Sequence, residues 1–287
     1  MNSNKILKFL YKHRFLFSRR IVQLSILFLY FAGNAYGWTI LKGNLSASLF
    51  METIPFADPY AVLQMFAAGA LVSIDVLLGA FLILFFYAVI GGRAFCSWVC
   101  PINMVTDLAN WIRKKLKLDR DEWQLRFSRK TRYWILGISL ILSFLIAVPA
   151  FEFISPISML HRGIVFGMGL GWAAVLGVFL FELFVTKNGW CGHLCPLGAF
   201  YSLATSKSAI RVYHYQPNCT LCMNCKNICP EKQVLPMVGK ENGFVISGEC
   251  INCGRCIEVC NDDALQFAIR FLPPKGKEKM PAEAELN

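Results

Sequence analysis

CTLCMNCKNICP, at residues 219–230, and CINCGRCIEVC, at residues 250–260, share the spacing Cys-x2-Cys-x2-Cys-x3-Cys. This is the spacing at which eight cysteines hold two [4Fe-4S] clusters. In that arrangement three cysteines of each run bind one cluster and the fourth binds the other. The sequence therefore predicts a first cluster on Cys219, Cys222, Cys225 and Cys260, and a second on Cys250, Cys253, Cys256 and Cys229.

Two other uses of clustered cysteines fit this spacing poorly. Disulfide-rich chains are small and secreted, whereas this segment follows several apolar stretches of membrane-spanning length. Structural zinc sites use pairs of ligands separated by a longer loop, so each run would carry surplus cysteines. After the second run, Asn261 stands where the pattern has a proline, which leaves the number of ligands unchanged.

The rest of the chain is too apolar for an ordinary soluble domain, because 56% of its 287 residues are hydrophobic. About 20 apolar residues cross a bilayer core of about 30 Å. Four stretches have that length, at residues 21–41, 71–91, 133–151 and 163–181. We therefore predict an α-helical membrane protein with four transmembrane helices, followed by an α+β ferredoxin-like module with two [4Fe-4S] clusters.

The net charge of +11 lies in the membrane half, since residues 219–270 contain five basic and six acidic residues. Basic residues precede the first predicted span and fill the connection between the second and third, so these segments are predicted to face the cytoplasm. We predict a multi-pass protein of the bacterial inner membrane, with both termini and the ferredoxin module cytoplasmic, that contacts lipid and binds no nucleic acid. The predicted parts are a basic N-terminus at 1–20, a membrane domain at 21–212, the two-cluster domain at 213–270 and a disordered tail at 271–287.

Each half of the membrane region ends in a Cys-x3-Cys-Pro motif, FCSWVCP at 95–101 and WCGHLCP at 190–196. Two spans per half return the chain to the same side, so the halves are predicted to be parallel repeats about an axis along the membrane normal. Proline favours the first turn of a helix, and a helix N-terminus favours a cysteine thiolate. The motifs predict a shared metal or cluster site, and the alternative is a set of small buried thiols. The four cysteines are Cys96, Cys100, Cys191 and Cys195.

Several shorter segments accompany these motifs. They are GNLSASL at 43–49, TIP at 53–55, DP at 58–59, DLANW at 107–111 and GWCGH at 189–193. With its two Cys-x3-Cys-Pro motifs after paired spans and its two four-cysteine runs, the chain resembles the membrane-bound polyferredoxin family of NapH-, NosR- and FixG-type proteins. The shorter segments are similar to the NapH type, and the resemblance covers almost the whole chain.

This resemblance implies a membrane iron–sulfur subunit that oxidises quinol and delivers electrons toward periplasmic nitrate reductase. Its implied partners are a soluble, periplasmic NapG-type multi-cluster ferredoxin and the nitrate reductase electron chain. Quinol oxidation releases protons, so the site needs a base, and ionisable groups at membrane depth tend to be functional. For each candidate, solvation at the membrane interface is the alternative. The candidate proton acceptors are Glu182, Asp75, Glu152 and His161.

Other functions stay open at this point. In one, the Cys-x3-Cys-Pro thiols bind copper or iron, and the ferredoxin module supplies electrons for metal handling or for assembly of an oxidase or reductase. In another, the chain is a membrane anchor for its partner complex. The sequence contains neither a nucleotide-binding glycine fingerprint nor a Cys-x-x-Cys-His motif, so flavin, NAD and covalent haem are not expected.

The predicted orientation leaves two routes for electrons that must reach an acceptor outside the membrane. In the first, quinol binds in the inner half of the membrane, near the Cys-x3-Cys-Pro motifs. In the second, the outward path runs through the partner, and the inner clusters have a separate purpose.

Overall fold

The computed structural model describes residues 3–118, 127–167, 169 and 171–272. Within these residues, two helices are long and apolar enough to cross a membrane, judged by length and composition. One is α2, Arg14–Ala35, which follows α1, Ser3–Lys12. The other runs over Ile74–Trp98. The remaining two predicted spans correspond to shorter apolar helices, Thr131–Ile146 and Gly171–Val185.

Three of the predicted spans are wrong in their extent. The first helix ends at Ala35, because the chain turns toward a β-strand at Leu41. The third predicted span is interrupted where Ala147 adopts a left-handed conformation with φ of 52°. The fourth is interrupted at Gly167, whose φ of 105° is open to glycine and strained for other residues. The helices around these interruptions are α7, Thr131–Ile146; α8, Ala150–Ile154; α9, Pro156–Phe166; and α10, Gly171–Leu180.

Both halves of the chain change their helical winding just before a Cys-x3-Cys-Pro motif. In the first half, α4, Ile74–Phe86, continues into a π-helical turn at Tyr87–Gly91 and then a 3-10 turn at Gly92–Ala94. A π-helical turn is rare and often marks a functional site. In the second half, α10 leads into two π-helical turns, Phe181–Val185 and Trp190–Leu194.

A short helix also follows each motif. The first motif contains α5, Phe95–Trp98, and leads into α6, Ile102–Lys115. The second leads into α11, Pro196–Ala204, where the proline occupies the first turn as predicted. Ile102 and Tyr201 from these helices pack in the main hydrophobic core together with Cys100 and Cys195.

Residues 41–70, which we call the external segment after its predicted side of the membrane, form a sheet and a helix where the sequence indicated only a connection. β1, Leu41–Gly43, β2, Ala47–Phe50, and β3, Ile54–Ala57, pair antiparallel in that order. α3, Pro59–Ala67, follows directly and is capped by the Asp58 side chain. The segment folds back onto the helices: a Cβ at Gly79 would lie 2.8 Å from the Pro55 carbonyl oxygen.

The C-terminal part has the predicted α+β architecture. β4, Ile210–His214, is the central strand of an antiparallel sheet, with β5, Gly243–Phe244, on one side and β6, Leu265–Ile269, on the other. Two short helices, α12, Asn224–Ile228, and α13, Arg255–Glu258, carry the third cysteine of each run. Of the predicted tail, residues 273–287 lie outside the described residues.

Buried ion pairs join this module to the helical part of the chain. Glu231 pairs with Arg93 at 3.0 Å and with Arg132 at 2.9 Å, and it also pairs with Arg129. The side chains of Glu231, Arg93 and Arg132 are all at most 4% exposed. A second cluster joins Asp107 of α6 to Arg20 and Arg255.

Candidate functional site

The eight cysteines of the two runs line two separate cavities. One cavity is lined by the cysteines that the crossed pattern assigns to the first cluster, and we call it the first cluster site. The other is lined by those assigned to the second cluster, and we call it the second cluster site. In each case the fourth cysteine comes from the other run. The linings include Cys219, Cys222, Cys225 and Cys260 in the first site, and Cys229, Cys250, Cys253 and Cys256 in the second.

The second cluster site is the more enclosed of the two. Burial raises the pKa of the Cys250 thiol to about 11, while Arg211 and Arg93 act in the opposite direction. Cluster ligands bind as thiolates, so these cations compensate charge at the site. In the first site Cys222 is exposed. Its cavity therefore lies near the protein surface.

Among the described residues, no group of three or more His, Cys, Asp or Glu side chains is arranged to hold a single metal ion. A mononuclear zinc site requires its ligands to surround one ion at about 2.0–2.3 Å. The cysteines of a [4Fe-4S] cluster bind different iron atoms of a larger cube. The two cavities, each with four cysteines in its wall, fit the larger group better than a single ion.

The structure brings the cysteines of the two Cys-x3-Cys-Pro motifs together, and we call Cys96, Cys100, Cys191 and Cys195 the four-thiol site. Cys100 and Cys195 are buried in one hydrophobic core, and Cys191 packs against it. Burial raises the pKa of Cys100, and the nearby Cys96 and Cys195 raise it further.

The helix N-terminus does not dominate the ionisation of these thiols. Burial raises the pKa of Cys195 to about 11, although the backbone N–H groups of Gly198 and Leu197 act in the opposite direction. The N–H groups at this helix N-terminus therefore favour the thiolate, but burial outweighs their effect on the pKa of Cys195. A thiolate here needs a nearby cation.

Arg93 supplies such a cation, and no motif in the sequence marked this residue. Its guanidinium is buried and donates to the Cys191 carbonyl at 2.9 Å and to Glu231 at 3.0 Å. Gly198 makes room for this group, since a Cβ there would lie 2.4 Å from Nη2 of Arg93.

Hydrogen bonds connect the four-thiol site directly to the second cluster site. Ser97 Oγ donates to the Ile251 carbonyl at 2.6 Å, and Trp98 Nε1 donates to the Asn252 carbonyl at 3.0 Å. Ser97 and Trp98 follow Cys96, while Ile251 and Asn252 lie between two cysteines of the second run. The side chain of Asn252 also donates to the Gly91 carbonyl at 3.1 Å. Residues adjacent to the two cysteine sets are therefore bonded to each other.

The four predicted proton acceptors do not form one site. Glu182 is buried beside the four-thiol site, where its Oε1 accepts the Trp190 backbone N–H at 3.0 Å. Burial is the main cause of the raised pKa of Cys191, and Glu182 raises that pKa further. Asp75 is exposed in the first turn of α4, where a carboxylate stabilises the helix dipole. This placement favours a structural explanation for Asp75.

Glu152 and His161 lie together near the external segment. Glu152 accepts hydrogen bonds from the side chains of Ser46 and Ser158, at 2.5 and 2.9 Å, and pairs with Arg162. His161 is fully buried, with its ring 4.7 Å from that of Tyr30. Burial lowers the pKa of His161 to about 4, so the ring is neutral near pH 7.

Comparison with known proteins agrees with this organisation. A family model described as a 4Fe-4S binding domain matches residues 72–119 and again residues 165–212. Each match contains one Cys-x3-Cys-Pro motif. A second model, described as a 4Fe-4S dicluster domain, matches residues 211–261, which contain both four-cysteine runs.

Curated relatives match over nearly their whole length. The ferredoxin-type protein NapH of Haemophilus influenzae is 45% identical over 91% of this chain and 92% of the relative. The methylamine utilization ferredoxin-type protein MauN of Methylorubrum extorquens is 42% identical over 90% of both chains. The chain belongs to the NapH/MauN family of ferredoxin-type proteins. NapH of Escherichia coli is a further relative, 40% identical over 90% of this chain and 91% of the relative. No solved structure matches the chain significantly.

Membership of the NapH/MauN family confirms the resemblance inferred from the sequence motifs. This NapH/MauN protein is an iron–sulfur electron-transfer protein with an internal repeat. The repeated match to a 4Fe-4S binding domain gives the Cys-x3-Cys-Pro halves an iron–sulfur context that is separate from the two-cluster module.

Proposed function

We propose that this protein is a multi-pass subunit of the bacterial inner membrane that oxidises quinol and passes the electrons toward periplasmic nitrate reductase. A NapG-type ferredoxin would be its electron acceptor. The similarity to NapH proteins over about nine-tenths of the chain supports this role. The MauN relatives are named for methylamine utilization, which gives a second system in which the same electron-transfer unit could operate.

The observation that carries the proposal is the bonded contact between the four-thiol site and the second cluster site. The residues that follow Cys96 donate to backbone carbonyls inside the second run, at 2.6 and 3.0 Å. The second run shares the ferredoxin core with the first. The proposed order of centres is therefore the four-thiol site, the second cluster site and then the first cluster site.

Eight cysteines would hold two [4Fe-4S] clusters, which supply one-electron transfer, and the four-thiol site would hold a third centre. The chain's own residues position and compensate these groups. Arg93 sits between the four-thiol site and the module, bonded to both the Cys191 carbonyl and Glu231. Arg211 and Arg255 lie close enough to lower the pKa of Cys250 and Cys229, respectively, against burial. A buried cation favours the reduced, more negative form of a nearby centre.

The exposed edge of the first cluster site suits the final transfer to a partner. Cys222 is exposed, and its neighbours Leu221 and Met223 are 56% and 36% exposed. Aromatic residues and Met are common at protein interfaces, where they bury apolar area. The proposal places the partner's nearest centre against this edge.

The orientation of the module decides how electrons reach the outside. A reporter fused to the C-terminus should be active only as a cytoplasmic probe, because the basic segments are predicted to face inward. In that case electrons that leave the first cluster site need a further carrier to cross the membrane to a periplasmic partner. Activity of the fusion as a periplasmic probe would instead place the module beside the reductase and overturn the predicted topology.

The proposed function is tested on the intact protein in detergent or nanodiscs. Iron, copper and acid-labile sulfide are counted, and a short-chain quinol is then added without oxygen while cluster reduction is followed by EPR. We expect iron and sulfide without stoichiometric copper, and cluster reduction by quinol. Clusters that dithionite reduces and quinol does not would refute quinol oxidation, and stoichiometric copper would support the metal-handling alternative.

A further inference from the structure

An apolar cavity of about 280 Å³ lies between the external segment and the first Cys-x3-Cys-Pro motif. Ligand sites are concave and mostly apolar, with a few polar groups that orient the ligand. Ile26 of α2 and Ile83 of α4 form part of its wall, and both helices have membrane-spanning length. A quinol ring matches a cavity of this size and polarity. The aromatic and polar lining includes Tyr30, Ser48, Asp58, Tyr87, Phe95 and Tyr201.

The cavity is in direct contact with the four-thiol site. Phe95 and Val99 line it, and each is followed immediately by a cysteine of the first motif, Cys96 or Cys100. The rings of Phe95 and Tyr201 stack with their centroids 5.3 Å apart, within the packing distance of aromatic pairs. A ring bound in this cavity would therefore lie one side-chain layer from the four thiols.

The acidic group in the cavity wall is Asp58. Its Oδ1 accepts the Tyr60 backbone N–H at 3.2 Å, which fixes the carboxyl group at the start of α3. Burial raises the pKa of Asp58 to about 7, the backbone N–H groups lower it, and Glu152 raises it further. Near neutral pH the carboxyl group can thus take up and release a proton, as a general base must.

Other titratable groups face Asp58 from the elements packed around it. Tyr30 of α2, Tyr87 of the π-helical turn and Tyr201 of α11 line the same cavity, and burial raises the pKa of Tyr201. Glu152 of α8 is the next acidic group toward the surface. Tyrosines with raised pKa values remain neutral near pH 7. The group in this cavity that titrates near neutrality is accordingly Asp58.

A polar connection leads from Asp58 toward the surface. The Asp58 backbone N–H donates to the Ser46 carbonyl at 2.9 Å, and Ser46 Oγ donates to Glu152 at 2.5 Å. Glu152 pairs with Arg162, whose side chain is 49% exposed. Ser46 thus bonds to both the Asp58 backbone and the Glu152 side chain, which places Glu152, a candidate from the sequence, near Asp58 on the side toward the surface.

We propose that this cavity binds the quinol ring and that Asp58 accepts a proton from a quinol hydroxyl. The inference rests on the proposed quinol oxidation and adds to it the place and the base. Oxidation breaks two O–H bonds and yields quinone, two protons and two electrons. The first proton goes to the Asp58 carboxylate, which releases it toward Glu152 before it accepts the second. The electrons pass one at a time to the iron–sulfur clusters as acceptors.

The first test compares Asp58→Asn with wild type in the full chain in nanodiscs. Asparagine caps a helix about as well as aspartate, so α3 should persist. We expect quinol-dependent cluster reduction to fall roughly 10²-fold, the scale of a lost general base. Iron content and reduction by dithionite should stay unchanged. The matched control, Glu52→Gln, removes an exposed carboxylate from the same external segment. Its clusters should be reduced by quinol at the wild-type rate.

The pH profile supplies a second readout that a structural role would not change. The base acts as the carboxylate, so the wild-type rate should rise with pH through about 7, the pKa of Asp58. The profile of Asp58→Asn should be flat over this range. A variant rate within about two-fold of wild type would overturn the role of Asp58, since a general base contributes roughly 10²-fold or more.

The third test locates the ring directly and separates this inference from the proposed function. Wild-type protein is photolabelled with an azidoquinone, and the labelled peptides are identified by mass spectrometry. Label on residues 41–60 or on α2 supports the cavity, whether or not quinol reduces the clusters. Label confined to other peptides overturns it, even where quinol oxidation itself is observed.

Discussion

Replacing Glu231 by Gln should destabilise the attachment of the ferredoxin module to the helical part of the chain. The carboxylate is 4% exposed and pairs with Arg93, Arg129 and Arg132. Glutamine keeps the shape and one acceptor oxygen but removes the charge. The guanidinium groups of Arg93 and Arg132, which are 1% and 0% exposed, would lose that charge partner.

The expected size follows from the burial of the pair. Removing one partner of a buried ion pair lowers the free energy of unfolding by about 3–5 kcal/mol. In a domain of this size, 1 kcal/mol lowers the melting temperature by about 2 °C. The Glu231→Gln protein should therefore melt roughly 6–10 °C below wild type. Because Arg132 retains its contact with Glu249, the decrease in melting temperature should lie toward the smaller value.

Thermal unfolding of the purified protein, followed by intrinsic fluorescence in one detergent, measures this difference. Glu52→Gln is the matched control, because Glu52 is 52% exposed and pairs with the 38% exposed Lys42. An exposed pair contributes at most about 1 kcal/mol, so the control should shift by less than about 2 °C. Equal shifts for the two variants would refute the assignment of Glu231 as a buried link.

Two further predictions concern the cluster ligands. Cys229→Ala should lose the EPR signal of the second cluster site while the first remains, with about four fewer iron atoms per chain; loss of the first cluster instead would contradict the crossed ligation. Cys96→Ala and Cys191→Ala should each remove the centre of the four-thiol site and lower iron from about twelve to about eight atoms per chain. The double variant should show little additional loss, because residues that act as one unit are non-additive. If all three variants keep the wild-type iron content and electron transfer, these cysteines have only a structural role.

The cysteine spacing predicted the C-terminal part well, for a local reason. Within each run, three cysteines lie within seven residues, so the chain itself brings them to one cavity. The fourth cysteine of each run reaches the cluster of the other run because α12 and α13, which carry the third cysteines, contact each other. The ligand assignment itself stays a prediction, and the lining of the two cavities supports it.

The groups that couple the module to the helices had no comparable local signal. Arg93 and Glu231 are 138 residues apart in the chain. In the sequence, Arg93 is one of many basic residues that predict the cytoplasmic side. Glu231 is one of several acidic residues that would be expected at the protein surface. Only the fold places both in a buried contact, where a charge contributes far more than it does in water.

Asp58 shows the same dependence on tertiary structure, and it connects the interrupted helices to the proposed chemistry. Hydropathy averages over about 19 residues, so it predicted continuous spans through Ala147 and Gly167. The interruptions at these two residues allow α8 and α9 to turn back, which brings Glu152 against the external segment and His161 against Tyr30 of α2. Uninterrupted helices would carry both side chains along the membrane normal, away from Asp58. The breaks that made the span prediction wrong thus place Glu152 beside the segment that carries Asp58.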